Sequence, residues 1–273
     1  MTKAFSLACW NVEHFSQKSG KVNRVVGFLG QFEPDVFALL EVSGREVFDS
    51  IVTKMPEYQF HITEGRAVQE ILIGVKHGFT AFYTQKTDFT SGIQTLRPGA
   101  FLTLTIEKMN YCILFLHTKS SSLPLGLGIR DDQFNRAFKF KTTLEEEQKN
   151  KNAPGKLNYL FLGDLNVMGM AYPYKKDIEA PLEIKKLDDD AKKAGMRRLT
   201  KDKPCTWRGM VKNKIAFSDL DQVVAAEHLK FKKYGDADVT VKGWPELTSK
   251  AEQADWNKKY SDHGLIYLEV EKV

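Results

Sequence analysis

The 273-residue chain predicts an α/β fold in which two packed β-sheets are flanked by helices. Three observations carry that prediction. Most apolar runs are only five to seven residues long and are separated by Gly, Pro or polar turns, which is the pattern of many short strands. The opening alternates strand, helix, strand, helix. Finally, several apolar runs end abruptly in a carboxylate, amide or imidazole, so polar groups are delivered to a sheet edge.

In order, 4–10 reads as a strand and 21–32 as an amphipathic helix with Val22, Val25, Val26, Phe28 and Leu29 on its apolar side. Pro34-Asp35 turns the chain into a buried strand at 36–40, and 45–55 is a second helix. Short strands follow at 58–63, 70–75, 79–84, 101–106 and 111–117. A helix over 130–148 has Phe134, Ala137, Phe138 and Leu144 as its inner side, and 157–162 is another buried strand. Strands at 220–226 and 265–270 complete the set. Two polar stretches, 170–203 with a helix at 182–195 ended by Gly195 and 234–260, read as insertions. Many strands with helices between them favour two sheets layered against helices.

Composition narrows the class. A hydrophobic share of 42% and a charged share of 27% provide enough material for a sizeable core and argue against disorder. The net charge of +5, from 40 basic and 35 acidic residues, is compatible with a polyanionic substrate or an ordinary solvated surface. Cys9, Cys112 and Cys205 are odd in number and lack metal spacing, so neither a disulfide framework nor a zinc site is expected. The first strand begins at Ala4, leaving no room for a leader before it, and no apolar run approaches the ~20 residues a membrane span needs. A cytoplasmic protein without a membrane or protein partner, plausibly a monomer, is the expectation.

The polar strand ends form a series: Trp10-Asn11, Leu40-Glu41, Leu116-His117-Thr118, Gly163-Asp164-Leu165-Asn166, Leu220-Asp221 and Ser261-Asp262-His263. In kind and order this series resembles the endonuclease/exonuclease/phosphatase superfamily, which includes pancreatic-type deoxyribonuclease, abasic-site endonucleases, neutral sphingomyelinases and inositol-phosphate phosphatases. The resemblance runs from residue 10 to 263 and implies one domain spanning 1–273, a four-layered α/β sandwich of two mainly antiparallel sheets with its site at one sheet edge. It also implies metal-dependent phosphoester cleavage.

Each residue has its own chemistry. Mg²⁺ is a hard cation that takes oxygen ligands, usually one or two carboxylates. The resemblance makes Glu41 its main ligand, with Asn11, Asp262 and Asp164 nearby; Mn²⁺ or Ca²⁺ would be substitutes. Asp164 and Asn166, two apart in an extended segment, share a face. They could bind metal, orient water or hold phosphate. His263 can exchange a proton near neutral pH, and acts as a base when a carboxylate fixes its tautomer. The resemblance nominates Asp221 for that carboxylate, with Asp219 two residues away as a rival. By the same resemblance His117 would neutralise the phosphate or protonate the leaving oxygen, with Glu70 of Val68-Gln69-Glu70-Ile71 as its partner. Arg97, whose forked guanidinium suits two phosphate oxygens, would hold the substrate together with Asn166 and His117. His14, His61, His77 and His228 lack a comparable pattern and read as structural.

Lys119, Arg130, Arg136, Lys139 and the basic 192–203 segment are candidates for a nucleic-acid groove, with Trp207, Trp244 or Trp256 as stacking surfaces. Inositol-phosphatase motifs are missing: Asn166 is followed by Val167-Met168 without the expected arginine. An apolar membrane-docking hairpin of the sphingomyelinase kind is not evident. His117 and Arg97 lean toward a deoxyribonuclease-like phosphodiesterase acting on DNA, or RNA. A phosphatase or phosphodiesterase for a small molecule or lipid head group is the alternative.

Overall fold

The computed structural model describes residues 2–16, 20–65, 69–211 and 213–273; Val68 lies outside them. The elements run β1 (Lys3–Phe15), α1 (Lys21–Gly30), β2 (Val36–Val42), α2 (Arg45–Lys54), β3 (Tyr58–Ile62), β4 (Glu70–Lys76) and β5 (Thr80–Lys86). Next come β6 (Gly99–Ile106), β7 (Met109–His117), α3 (Pro124–Asn150), β8 (Asn158–Asp164), α4 (Ala180–Lys193) and β9 (Met196–Arg198). The chain ends with β10 (Trp207–Val211), β11 (Lys214–Ser218), β12 (Asp221–Ala226), β13 (Thr240–Lys242), α5 (Lys250–Lys259) and β14 (Leu265–Glu271).

Two six-stranded sheets have the orders β13-β14-β1-β2-β4-β3 and β5-β6-β7-β8-β12-β9, and β10-β11 stands apart as a hairpin. Each large sheet contains one parallel pair, β1 with β2 and β7 with β8, and is otherwise antiparallel. The parallel pairs are joined across α1 and α3, as a parallel connection requires.

Strand alternation makes the four layers. Phe5, Leu7 and Cys9 of β1 pack with Val36, Ala38 and Leu40 of β2 against Ile113 and Phe115 of β7 and Leu160 and Leu162 of β8, between the sheets. Their neighbours Ala8, Trp10, Phe37 and Leu39 face Val22, Val25 and Leu29 of α1 and Val47 and Ile51 of α2. On the far side, Leu114, Leu116, Tyr159 and Phe161 meet Phe134 and Ala137 of α3 and Leu187 and Ala191 of α4. Both faces of the central strands are buried, which is why they read as continuous apolar runs.

The predicted insertions are mostly scaffold. The 170–203 stretch supplies α4 and the edge strand β9, and 234–260 supplies the edge strand β13 and α5. α5 has a Ser249 cap that accepts from the Glu252 amide, but only Trp256 gives it an apolar contact, so periodicity does not reveal it. α3 starts at Pro124, ahead of the predicted 130, because proline fits a first helical turn. Among the described residues no helix is long and apolar enough to cross a membrane.

Candidate active site

The two parallel pairs end at one edge. Asn11, paired with Leu40, and the unpaired Glu41 stand where the regular pairing of β1 and β2 breaks before Phe15–Val42, while His117 and Asp164 stand opposite each other at the ends of β7 and β8. Antiparallel neighbours begin where those strands end, which sets Asp221 of β12 opposite Asp164 and places His263 just before β14. Alternation does the aiming. Asn11, His117, Asp164 and Asp221 fall in phase with the residues that fill the inter-sheet core, so they cap it.

Glu41 is out of phase and needs a different device. Between Asn11–Leu40 and Phe15–Val42, β1 carries two more residues than β2, a bulge that puts Glu13 and His14 at φ +43° and +47°. Glu41 itself has φ +64°, a left-handed conformation costing a non-glycine residue about 1 kcal/mol. The kink turns its carboxylate inward, where Oε1 accepts from Asn11 Nδ2 at 3.2 Å and Oε2 from the His14 amide at 2.8 Å. Asn11 Nδ2 also donates to Asp164 Oδ2 at 2.9 Å. Gly163, before Asp164, has φ +139°, and a Cβ there would stand 2.0 Å from the Leu116 carbonyl. Glycine is therefore required for β7 and β8 to come together at the site.

His263 is held from several sides. The Ser261 hydroxyl accepts from its amide at 3.0 Å and donates to the Asn11 carbonyl at 2.7 Å, and Trp10 Nε1 donates to the His263 carbonyl at 2.9 Å. Its Nδ1 lies 2.8 Å from Asp221 Oδ2, while Nε2 faces Asp164 Oδ2 at 3.7 Å and Asp262 Oδ1 at 3.9 Å. Burial disfavours the charged ring, but the Asp221 and Asp164 carboxylates outweigh it and raise its pKa to about 10. Asp164 is pushed up chiefly by its own burial.

His117 is buried too, with the opposite result. Its Nε2 faces Asp164 Oδ2 at 3.4 Å and Glu41 Oε1 at 3.8 Å, and its Nδ1 is buried without a hydrogen-bond partner. Burial, then the neighbouring Arg97 and His263 charges, hold its pKa well below the usual histidine value. The expected Glu70 partner is engaged elsewhere, accepting from the Thr63 hydroxyl and the Gly65 amide. Among the described residues no hydrogen bond or ion pair joins His117 and Glu70, so the predicted pair does not form, and the burial of His117 favours its neutral ring.

The surroundings of the other nominated residues are equally concrete. Asp221 faces His263, whereas Asp219 makes a 2.7 Å ion pair with the buried Lys201. Asn166, at φ +48°, donates its amide hydrogen to Asp164 Oδ1 and Nδ2 to the Thr118 carbonyl. Arg97 is tied through Nε to the Gln69 carbonyl at 2.7 Å and through its second nitrogen to Gln69 Oε1. Arg130 is fully buried, bonded to Glu183 and the Ser121 and Gly169 carbonyls, so it cannot line a groove. Arg136 pairs with Asp132, and within 192–203 Arg197 and Arg198 pair with Asp238 and Asp188. Trp244 is buried, and Trp256 stacks on Tyr260 at 4.1 Å.

Three residues outside the predicted set support the site. Gln69 joins Arg97 to the far side, with Nε2 donating to Glu41 Oε2 at 3.2 Å and lying against His14 Nδ1. It sits next to the predicted Glu70, a one-residue offset that the bulges produce. Thr206 Oγ1 accepts from the Leu220 and Asp221 amides, both at 3.0 Å, and Lys201 Nζ donates to the Asp221 carbonyl. Nothing in their sequence surroundings marks either one.

The donor set suits a hard divalent cation. Glu41, Asp164 and Asp262 supply carboxylate oxygens, and Asp262 Oδ1 is buried without a hydrogen-bond partner. Asn11 braces the carboxylates with its NH₂ group while its Oδ1 accepts from the Glu13 amide at 3.0 Å, so its oxygen is turned away from them. Asp164, Asp221 and His263 also offer ligand atoms within 4.8 Å of one another. The close Nδ1 contact with Asp221 makes that trio read better as a charge-stabilised imidazole.

No family model matches the sequence, and neither does any curated protein. Solved structures do resemble the fold. A D. rerio TDP2 complexed with single-strand DNA product has a TM-score of 0.69 at 14% identity, covering 98% of this chain and 99% of that one. An endonuclease/exonuclease/phosphatase family protein from Bacteroides thetaiotaomicron gives 0.59 at 13%, covering 97% of each chain. The mannosyl-6-phosphatase Bt3783 from the same species gives 0.61 at 13%, over 98% of this chain and all of that one. The chain therefore has the fold of endonuclease/exonuclease/phosphatase proteins along almost its whole length.

Proposed function

We propose that this chain is a divalent-metal-dependent phosphodiesterase that hydrolyses nucleic acid, DNA before RNA. The observation that carries the reading is the convergence, at one sheet edge, of the Glu41 and Asp164 carboxylates with the Asp221–His263 pair. Glu41 and Asp164, with Asp262, would hold the metal. A Mg²⁺ ion bound there would supply positive charge for the phosphoryl oxygens and neutralise carboxylates that otherwise keep His263 charged.

The chain's own groups do the rest. Asp221 fixes the Nδ1 proton, so Nε2 is the atom that exchanges a proton with the attacking water. Water forms its bond to phosphorus as the ester oxygen departs, and charge spreads over the phosphoryl oxygens. His117, neutral and with its Nε2 facing two carboxylates, presents an N–H to the same space. Arg97, braced by Gln69, would hold the phosphate. The fold-neighbour TDP2 complexed with single-strand DNA product supports a nucleic-acid substrate.

The test is nicking of supercoiled plasmid and cleavage of single-stranded oligonucleotides with Mg²⁺, with EDTA as control. Turnover that needs the metal and disappears in His263→Ala is the expected result. The mannosyl-6-phosphatase neighbour supports the second reading, a small-molecule phosphatase, which a panel of phosphomonoesters separates from the first.

A further inference from the structure

Beside the catalytic edge lies a cleft of about 660 Å³ that shares Asp262 with it; its cations are Lys21, Arg208 and Lys258, its other carboxylate is Glu13, which lies near Lys21, and Trp207 and Met210 add apolar surface. Arg208 is the unusual member. It is only 6% exposed, its Nε is buried without a hydrogen-bond partner, and among the described residues its guanidinium donates only to the Lys250 carbonyl, at 3.3 Å. A buried guanidinium without a carboxylate is costly, because desolvation is not offset by a counter-charge. Arg130, equally buried, has Glu183. Among the described residues Arg208 has no such ion pair, which leaves its charge for an anion from outside.

The cleft also determines what the anion belongs to. The Trp207 indole covers Gly209, where a Cβ would come within 2.1 Å of the ring, and its Nε1 donates to Asp262 Oδ2 at 2.6 Å. Trp207 bridges to His263, and the next residue's amide, that of Arg208, donates to the Asp262 carbonyl at 2.9 Å. The indole lies on the Gly209 face of β10 and Arg208 on the Met210 face, and the backbone of both residues is fastened to the Asp262–His263 segment. Further along the hairpin, Met210 is 63% exposed, and Ile215 and Phe217 are exposed across from Met210 and Arg208. A cation flanked by apolar surface matches a phosphate with a nucleobase attached.

We propose that this cleft is a second substrate subsite, in which Arg208, with Lys21 and Lys258 at the rim, binds a phosphate neighbouring the scissile one in a single-stranded polynucleotide. This rests on the phosphodiesterase reading above and narrows its substrate: a lone phosphomonoester would leave Arg208 unused.

Binding of a labelled single-stranded oligonucleotide is measured by fluorescence anisotropy in EDTA, so that turnover does not intrude, for wild type, Arg208→Met and Lys258→Ala. Arg208→Met is expected to weaken binding roughly 10- to 100-fold, the loss of a charge-assisted contact. The slope of log affinity against log salt should shrink by about 0.7, the share of one phosphate on a single strand. Lys258→Ala, on an exposed helix end, gives a smaller change in the same direction and carries the test if Arg208→Met does not fold. With Mg²⁺, kcat/KM for the oligonucleotide should fall relative to that for bis(p-nitrophenyl) phosphate. Unchanged affinity and salt slope in both variants would overturn the subsite. A wild type that binds oligonucleotide through Arg208 but hydrolyses no phosphodiester with any divalent metal would instead overturn the proposed activity.

Discussion

His117 and His263 enter the same space from opposite sheets, both buried and both facing Asp164, yet their pKa values move in opposite directions. The difference is at Nδ1. His263 has Asp221 at 2.8 Å and a pKa raised to about 10, whereas His117 Nδ1 has no partner and the ring is driven neutral. Burial by itself discharges an imidazole; a hydrogen-bonded carboxylate reverses that. In the proposed mechanism this contrast would let His263 exchange a proton with water while His117 offers an N–H.

The largest effect should come from the Asp221 side. Asp221→Asn keeps the shape but presents the wrong partner to Nδ1, and is expected to lower kcat by roughly 10³- to 10⁴-fold in a Mg²⁺ nicking assay. Asp219→Asn, two residues away but paired with Lys201, should cost far less. Equal losses in the two variants would break the contrast.

His117→Gln retains an N–H donor and should lower kcat by only about 10- to 100-fold, with little change in its pH profile near neutrality, since burial holds the native ring's pKa well below the usual histidine value. A shifted acidic limb in that variant would mean that His117 titrates during turnover.

Metal-free protein allows the contrast to be observed directly. In EDTA, imidazole NMR should show His263 charged at pH 7 and titrating near pH 10, with His117 neutral. Because the folded pKa of His263 lies above its ordinary 6.5, its stabilising contribution is complete below pH 6.5 and is lost as pH rises toward 10. The melting temperature of the metal-free protein should fall across that window, and His263→Gln should flatten the fall.

The smallest effect should be at Glu70. Its carboxylate serves Thr63 and Gly65, so Glu70→Gln should change kcat by less than about threefold and stability by about 1 kcal/mol, read by denaturant titration. A loss as large as that of His117→Gln would restore the pairing that the resemblance implied.

Much of this was legible without coordinates of any atom. Short apolar runs buried on both faces announced layered sheets, and a polar group closing each run announced an edge site, because a strand cannot bury such a group deep in a core without a partner. The family resemblance carried by Asn11, Glu41, His117, Asp164, Asp221 and His263 nominated them together. What it could not supply was anything that depends on which strand lies beside which. Asp221 rather than Asp219 meets His263 because β12 pairs with β8 in a register that sets Asp221 against Asp164. Glu41 turns inward only through a bulge and a left-handed backbone, and Glu70 is drawn to Thr63 across β3 and β4. Basic residues that looked available in the 192–203 segment found aspartates, Arg198 on the neighbouring α4 and Arg197 at distant Asp238, while among the described residues Arg208, unremarkable in sequence, did not. The local pattern determines which groups reach an edge; long-range pairing decides their neighbours, and the neighbours set their charge.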